Sequence, residues 1–319
     1  MKTAKIISLF SLFPLFLESK SCINECENQQ TENIVISQKL DILRDSPEGK
    51  GNLSKNVSEI EKQSNRKNEF IQHQVKQIQS IQQAIPFLNN LDDRAIVLFD
   101  IDGVISIPAE PCLHPDIFDK YDSIIQSLTG HFTREQRHVF NHLVVACTSK
   151  LIENEFVDVL IDLQNKNIKT FGFTASSPGI IHPQLPPFHL VREKYLKELK
   201  INFSIKNSTS IDFIDLNPTK GEYPGVRNGI IYSCGLNNTK GAVLKRFLSD
   251  YPNITKIVFL DDKLKNLDSV MTTLKTDFPT IEFLGFHYQG MEKLQCEDPG
   301  EDKVREYVQS LVELISANK

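Results

Sequence analysis

The chain predicts an α/β fold: a parallel sheet with helices on both faces, a small helical cap insertion and an added β-hairpin. Three observations carry this reading. Short continuous apolar runs recur at IVLF (96–99), IKTFGF (168–173), KIVFL (256–260) and IEFLGF (281–286), as expected of strands buried on both faces. Stretches with helical spacing of apolar residues fall between them, which is the alternation of a parallel sheet with crossover helices. Aspartates follow two of the runs, Asp100 and Asp102 after the first and Asp261 and Asp262 after the third. Open parallel sheets bind ligands at the carboxyl ends of their strands, so these positions are the candidate site.

The first 22 residues, MKTAKIISLFSLFPLFLESKSC, carry Lys2 and Lys5, an apolar run from Ile6 to Leu17, and small residues at Ser19 and Ser21. This layout predicts a signal peptide over 1–21 and export, to the periplasm or beyond the cell; the run is too short for a permanent membrane span. Cleavage after Ser21 leaves Cys22 first, which raises lipid anchoring as the alternative, although Lys20 and the absence of an aliphatic residue at position 19 count against it. Residues 22–69 are polar, without sustained period, and read as a flexible leader ahead of a domain over 70–319.

Ile71, Val75, Ile78, Ile81, Ile85 and Leu88 recur at three- and four-residue spacing and predict an amphipathic helix ending near Pro86 or Asn90. The strand Ile96 to Phe99 follows. From about 105 to 150 the chain is too long for one crossover, and PDIFDKYDSIIQSLTG and FTREQRHVFNHLVVA read as two helices of an inserted cap. A helix Phe156 to Leu163, the strand Ile168 to Phe173 and a helix Val191 to Leu199 come next. Strand-like runs at Ile211 to Ile214 and Ile230 to Cys234 flank the turn-rich NPTKGEYPGVRNG, which predicts the hairpin over about 211–234. Then come a helix Ala242 to Leu248, the strand Lys256 to Leu260, a helix Leu264 to Leu274, the strand Ile281 to Phe286, and a closing amphipathic helix with Val304, Tyr307, Val308, Leu311 and Ile315.

With 36 basic and 41 acidic residues and a formal charge of -5, the chain has no basic stretch that would make nucleic acid a partner. Its six cysteines (Cys22, Cys26, Cys112, Cys147, Cys234 and Cys296) lack metal-ligand spacing, so no zinc site is signalled.

Two aspartates after a strand are ordinarily an acidic turn. A calcium loop is excluded, because Val104 stands at its fifth position and Pro111 at its twelfth, where oxygen ligands are needed. Thr174, in KTFGFTASSPG, offers a hydroxyl and, with Ala175, turn amides suited to an anionic oxygen. Lys240, in GLNNTKGAVLKRFL, opposes the dipole of the helix it starts, and so asks for a partner. KIVFLDDKLKN ends a strand in Asp261 and Asp262 and places Asn266 four residues later. His138 and His142 are four apart on a cap helix and would share a metal only with a third ligand. His114, His131, Arg137, Tyr223 and Arg227 read as solvated surface, with substrate contact as the alternative.

Taken in order, Asp100-x-Asp102, Thr174, Lys240 and Asp261-Asp262-x-x-x-Asn266 resemble the four motifs of the haloacid dehalogenase (HAD) superfamily, over about residues 95 to 290. The signal peptide, the amphipathic helix before the first motif, LQNKNIKTFGFTASS and RNGIIYSCGLNNTKG look like an exported bacterial branch of it. The resemblance implies a HAD-like Rossmannoid hydrolase and a magnesium-dependent phosphatase acting on a phosphorylated small molecule or phosphoprotein. Asp100 would be the nucleophile that forms an aspartyl-phosphate, and Asp102 the general acid and base. Mg2+ would be held by the carboxylates of Asp100 and Asp261 and the backbone carbonyl of Asp102. Lys240 would add positive charge, Thr174 and Ala175 would hold the phosphoryl group, and Asp262 and Asn266 would support the metal or Lys240. An aspartate at 102 favours hydrolysis over dehalogenation, since dehalogenases of this superfamily lack an acid there. Transfer to another acceptor, or an exported binding or effector protein on the same scaffold, are the alternatives.

Overall fold

The computed structural model describes residues 72–146, 149–180, 186–203 and 210–316. The segments expected to form a signal peptide and a leader lie outside the described residues, as do Cys22, Cys26 and Cys147.

The chain builds an eight-stranded sheet in the order β1-β10-β9-β2-β5-β8-β7-β6. Its parallel part comprises β1 (His73–Ile78), β2 (Ala95–Phe99), β5 (Lys169–Thr174), β8 (Ile230–Tyr232), β9 (Lys256–Asp261) and β10 (Glu282–Tyr288). β6 (Ser210–Asp212) and β7 (Gly225–Arg227) extend it in antiparallel fashion. All five residues of β2 are buried, and alternate ones serve opposite faces. Val97 and Phe99 pack with Phe156, Leu160 and Leu163 of one helix (Glu155–Asn165) and with Tyr195 and Leu196 of another (Phe188–Glu198). Ile96 and Leu98 pack with Val243, Leu244 and Phe247 of the helix Lys240–Leu248 and with Leu267, Val270 and Leu274 of the helix Leu264–Asp277. Apolar residues on both faces of one strand therefore call for helices on both sides. Each such buried Leu, Val or Phe contributes about 1.5–3 kcal/mol before chain entropy offsets it.

The amphipathic helix expected from Ile71 to Leu88 is replaced by an edge strand, a 3-10 turn (Ile81–Gln83) and a single α turn (Ile85–Leu88). Val75 and Ile78 are three apart, which a helix would place on one face. In β1 they serve opposite sides, Val75 packing with the cluster of Phe283 and Ile78 with that of Phe286. Pairing of β1 covers what would be an open edge of β10, and the flanking bonds from Phe283 N to Gln72 O (3.1 Å) and from Gln289 N to Ile78 O (2.8 Å) fix its register.

The hairpin also differs from expectation. Ile211 pairs with Val226, and Val226 pairs in turn with Ile231, so β7 lies between the two strands read from sequence. Its turn is the two-residue Asn228-Gly229, with φ of 47° and 78°, the left-handed pair that a tight hairpin demands.

The insertion stands on a two-stranded stalk, β3 (Ser106–Pro108) and β4 (Ser149–Leu151), and holds three helices where two were expected. They are α2 (Pro115–Lys120), α3 (Asp122–Thr129) and α4 (Arg134–Val145), α1 being the turn at Ile85–Leu88. The first helical stretch breaks at Tyr121, whose ψ of 22° leaves the helical range. Thr133 and Gln136 start α4 with a reciprocal capping box. Leu113, Ile117, Phe118, Phe140 and Leu143 share a core with Val304, Val308, Leu311 and Ile315 of the closing helix Glu301–Ser316. Among the described residues no helix is long and apolar enough to cross a membrane.

Candidate functional site

β2 lies between β9 and β5, so the carboxyl ends of three adjacent parallel strands meet. The chain leaving β2 returns in β5 on one side, while β9 occupies the other, which makes this the switch point of the sheet. Asp100 follows β2 directly, Thr174 ends β5 and Asp261 ends β9.

Lys240 joins two of them. Thr239 caps its helix by accepting from Ala242 N (3.1 Å), which places Lys240 at the first helical position. Its Nζ lies 2.7 Å from Asp261 Oδ2 and 3.0 Å from Asp100 Oδ2, and donates to Phe173 O at 2.6 Å. The rings of Phe173 and Phe259 flank it, with centroids 5.2 and 5.1 Å away. The unfavourable place in the dipole is answered by two carboxylates. Burial disfavours the charge of Lys240, but Asp100 and Asp261 outweigh it and raise its proton affinity. Burial, opposed by Lys240, pushes the Asp100 carboxyl up to about 7.

Asp261 Oδ1 accepts from Lys263 N (2.8 Å) and Asn266 Nδ2 (2.9 Å). Asn266 therefore fixes Asp261. Asp262 Oδ2 pairs with Lys263 Nζ at 3.6 Å, and Asp262 joins the carboxylates: one oxygen each from Asp100, Asp261 and Asp262 lie within 4.8 Å of one another. Its Oδ1 is buried and accepts no hydrogen bond from the described residues. Burial raises the proton affinity of this carboxyl as well.

Asp100 and Asp102 have different partners. Asp100 Oδ1 accepts from Ile101 N at 2.8 Å, while Ile101 itself is buried in the body of the domain. Asp102 is held by Arg192, with Nη1 donating to Oδ1 at 2.5 Å and Nη2 to Oδ2 at 2.8 Å. Arg192 is wholly buried, and sequence reasoning missed it. The available signal was its spacing in FHLVREKYLKEL, where Phe188, Arg192, Tyr195 and Leu196 fall on one buried helical face. A cation at a core position needs a partner.

At the end of β5, Thr174 Oγ1 accepts from Ser176 N and donates to Ser176 Oγ, both at 3.2 Å. Ala175 is exposed beside it. The next amide, Ser177 N, donates to His142 Nε2 at 2.9 Å, and His142 Nδ1 lies 3.0 Å from His138 O. His142 Nε2 thus docks the insertion on this turn while Nδ1 is engaged within its own helix, which leaves neither for a metal. Burial keeps both histidines neutral, His138 being lowered to about 4 and His142 held well below its ordinary value. His114 is buried too, contrary to the surface reading. His131 is exposed and Tyr223 half-buried, Arg137 donates to Thr129 O (3.3 Å), and Arg227 pairs with Asp212 along β6 and β7.

Residues 73–316 match the family described as protein of unknown function (DUF2608). The chain belongs to the DUF2608 family. No curated protein matches it. The DUF2608 match opens on the first residue of β1 and closes on the last of the helix Glu301–Ser316, so it spans the sheet, the insertion and Arg192 together.

Gly103 gives this DUF2608 site a backbone constraint. Its φ is +87°, and a Cβ there would sit 2.8 Å from Asp262 Oδ2. Gly103→Ala is expected to cost about 1–3 kcal/mol, read as a lower urea midpoint. An unchanged midpoint would refute the constraint.

Proposed function

We propose that the chain is a phosphatase of the HAD type, hydrolysing a phosphomonoester through an aspartyl-phosphate on Asp100. The observation that carries this reading is one buried lysine between two strand-end carboxylates, with a third carboxylate oxygen left unpartnered beside them. A purely structural ion pair needs one carboxylate per cation. Three acids face two lysines, Lys240 and Lys263, the latter with Nζ 3.6 Å from Asp262 Oδ2, which leaves one negative charge uncompensated that a hard divalent cation with oxygen ligands would neutralise. Asp100, Asp261 and Asp262 fit that donor set, with Asp262 entering as a ligand candidate in addition to the expected carboxylates of Asp100 and Asp261 and carbonyl of Asp102. When bound, Mg2+ would supply the positive charge that lets a carboxylate meet a phosphate dianion.

The remaining roles belong to the chain. Lys240 and the Ile101 amide each hold one oxygen of Asp100, so the nucleophile is fixed before substrate arrives. Asp100 forms the bond to phosphorus as the ester oxygen leaves with a proton from Asp102. Asp102 then takes a proton from the water that attacks phosphorus, releasing phosphate and restoring Asp100. Thr174 and the exposed Ala175 turn would hold the phosphoryl oxygens. The reading of residues 1–21 adds export, so the substrate would be met outside the cytoplasm.

The test is turnover of p-nitrophenyl phosphate and an alkyl phosphate by protein lacking residues 1–21, with Mg2+ or with chelator. Mg2+-dependent release of phosphate is expected. A folded protein that turns over neither substrate would remove this reading and favour a binding or effector role for the scaffold.

A further inference from the structure

We propose that Arg192 is a positioning residue, which aims Asp102 and locks it to the turn after β5. This rests on the phosphatase reading, and it adds to that reading the group that sets the acid and base in place.

Arg192 has no exposed surface, whereas the Asp102 side chain is 34% exposed. The guanidinium therefore stands behind the carboxylate and reaches the reaction only through it. Its Nη2 bonds both Asp102 Oδ2 (2.8 Å) and Ser176 Oγ (3.2 Å), and Ser176 N bonds Thr174 Oγ1 (3.2 Å). The acid/base and the phosphate-holding turn are thus parts of one network. Nη1 adds the Tyr195 hydroxyl, and the rings of Phe188 and Tyr195 lie 4.8 and 5.2 Å from the guanidinium carbon.

Packing does not account for this arrangement. An apolar side chain between Phe188 and Tyr195 would continue the buried face, and replacing a buried ion pair by apolar groups is often neutral or stabilising. The two-point contact fixes the plane of the carboxylate, which a lysine or a water would not do. Local rules broken at a core position without a packing gain are expected at functional sites. Proton transfer needs the acid within hydrogen-bond reach of the leaving oxygen, and misplacement by about 1 Å can cost about 100-fold.

The test separates positioning from folding by leaving-group dependence. A p-nitrophenolate departs without help, whereas an alkoxide needs the proton of Asp102. Arg192→Lys is expected to lower kcat on the alkyl phosphate at least about tenfold more than kcat on p-nitrophenyl phosphate, with little change in KM. Asp102→Asn should show the same selectivity, and the double variant should lose no more than Asp102→Asn alone. Urea midpoints of the same four proteins give a readout apart from activity, and should also be non-additive. Equal loss on both substrates, or additive losses, would overturn the assignment while leaving the phosphatase reading intact. A wild-type protein inert on both substrates would overturn both. If Arg192→Lys does not fold, Tyr195→Phe, which removes only one hydroxyl beside Nη1, is judged by the same ratio.

Discussion

Asp100→Asn is expected to abolish phosphate release, by at least about 10,000-fold, in a chain that still folds. The amide removes the nucleophile but keeps its shape, and Lys240 retains Asp261 at 2.7 Å, so no buried cation is stranded. The pH dependence of stability should change as well. Asp100 is pushed up to about 7 in the folded protein, chiefly by burial, from an ordinary value of 3.8. The folded state therefore holds more protons than the unfolded chain between these values, and stability falls as pH rises through that window. Buried His138 and His142 contribute the opposite slope in both proteins, so it is the urea midpoint of the wild type relative to Asp100→Asn, in chelator, that should decline from about pH 4 to pH 7. Turnover within tenfold of wild type would sink the nucleophile assignment, and identical pH profiles would sink the account of its charge.

Lys240→Met is expected to give the largest loss of stability, about 3–5 kcal/mol at pH 7. Asp261 has no exposed surface and Asp100 only 5%, and both lose the cation they share. The Phe173 carbonyl loses its lysine donor as well, while the methionine fills the space between Phe173 and Phe259, so a cavity is not the cause. Because the penalty is uncompensated negative charge, it should shrink when the pH is lowered to 5 and when Mg2+ is added. A loss of the same size at pH 5 and pH 7, with and without Mg2+, would point to packing and refute the electrostatic account.

How far the sequence speaks can be judged residue by residue. The parallel sheet was legible because β2, β5, β9 and β10 are apolar on both faces, a pattern that only helices on both sides can cover. Asp100, Thr174 and Asp261 were legible as site candidates because each stands at a strand end, and Lys240 because it contradicts the helix dipole. Arg192 was hidden. Its partner is 90 residues away, and an arginine in a Lys- and Glu-rich helix looks solvated until the register of Phe188, Tyr195 and Leu196 is traced. β1 was misread because Val75, Ile78, Ile81 and Leu88 satisfy helical spacing while serving a strand and two short turns. β7 escaped notice because Gly-Val-Arg has one buried apolar residue to mark it. His138 and His142 stand at a spacing that could share a metal, and only the Ser177 amide shows that His142 is a clasp.

The core that the insertion shares with the closing helix has a consequence for synthesis. Leu113, Phe118, Phe140 and Leu143 leave the ribosome before most of the sheet is made, yet the side chains that cover them, Val304, Val308, Leu311 and Ile315, follow its last strand. For the whole of that interval the insertion carries an apolar face with nothing to close it, the kind of surface on which chaperones act. The segment over the carboxyl edge of the sheet thus completes its packing after the sheet beneath it has been made.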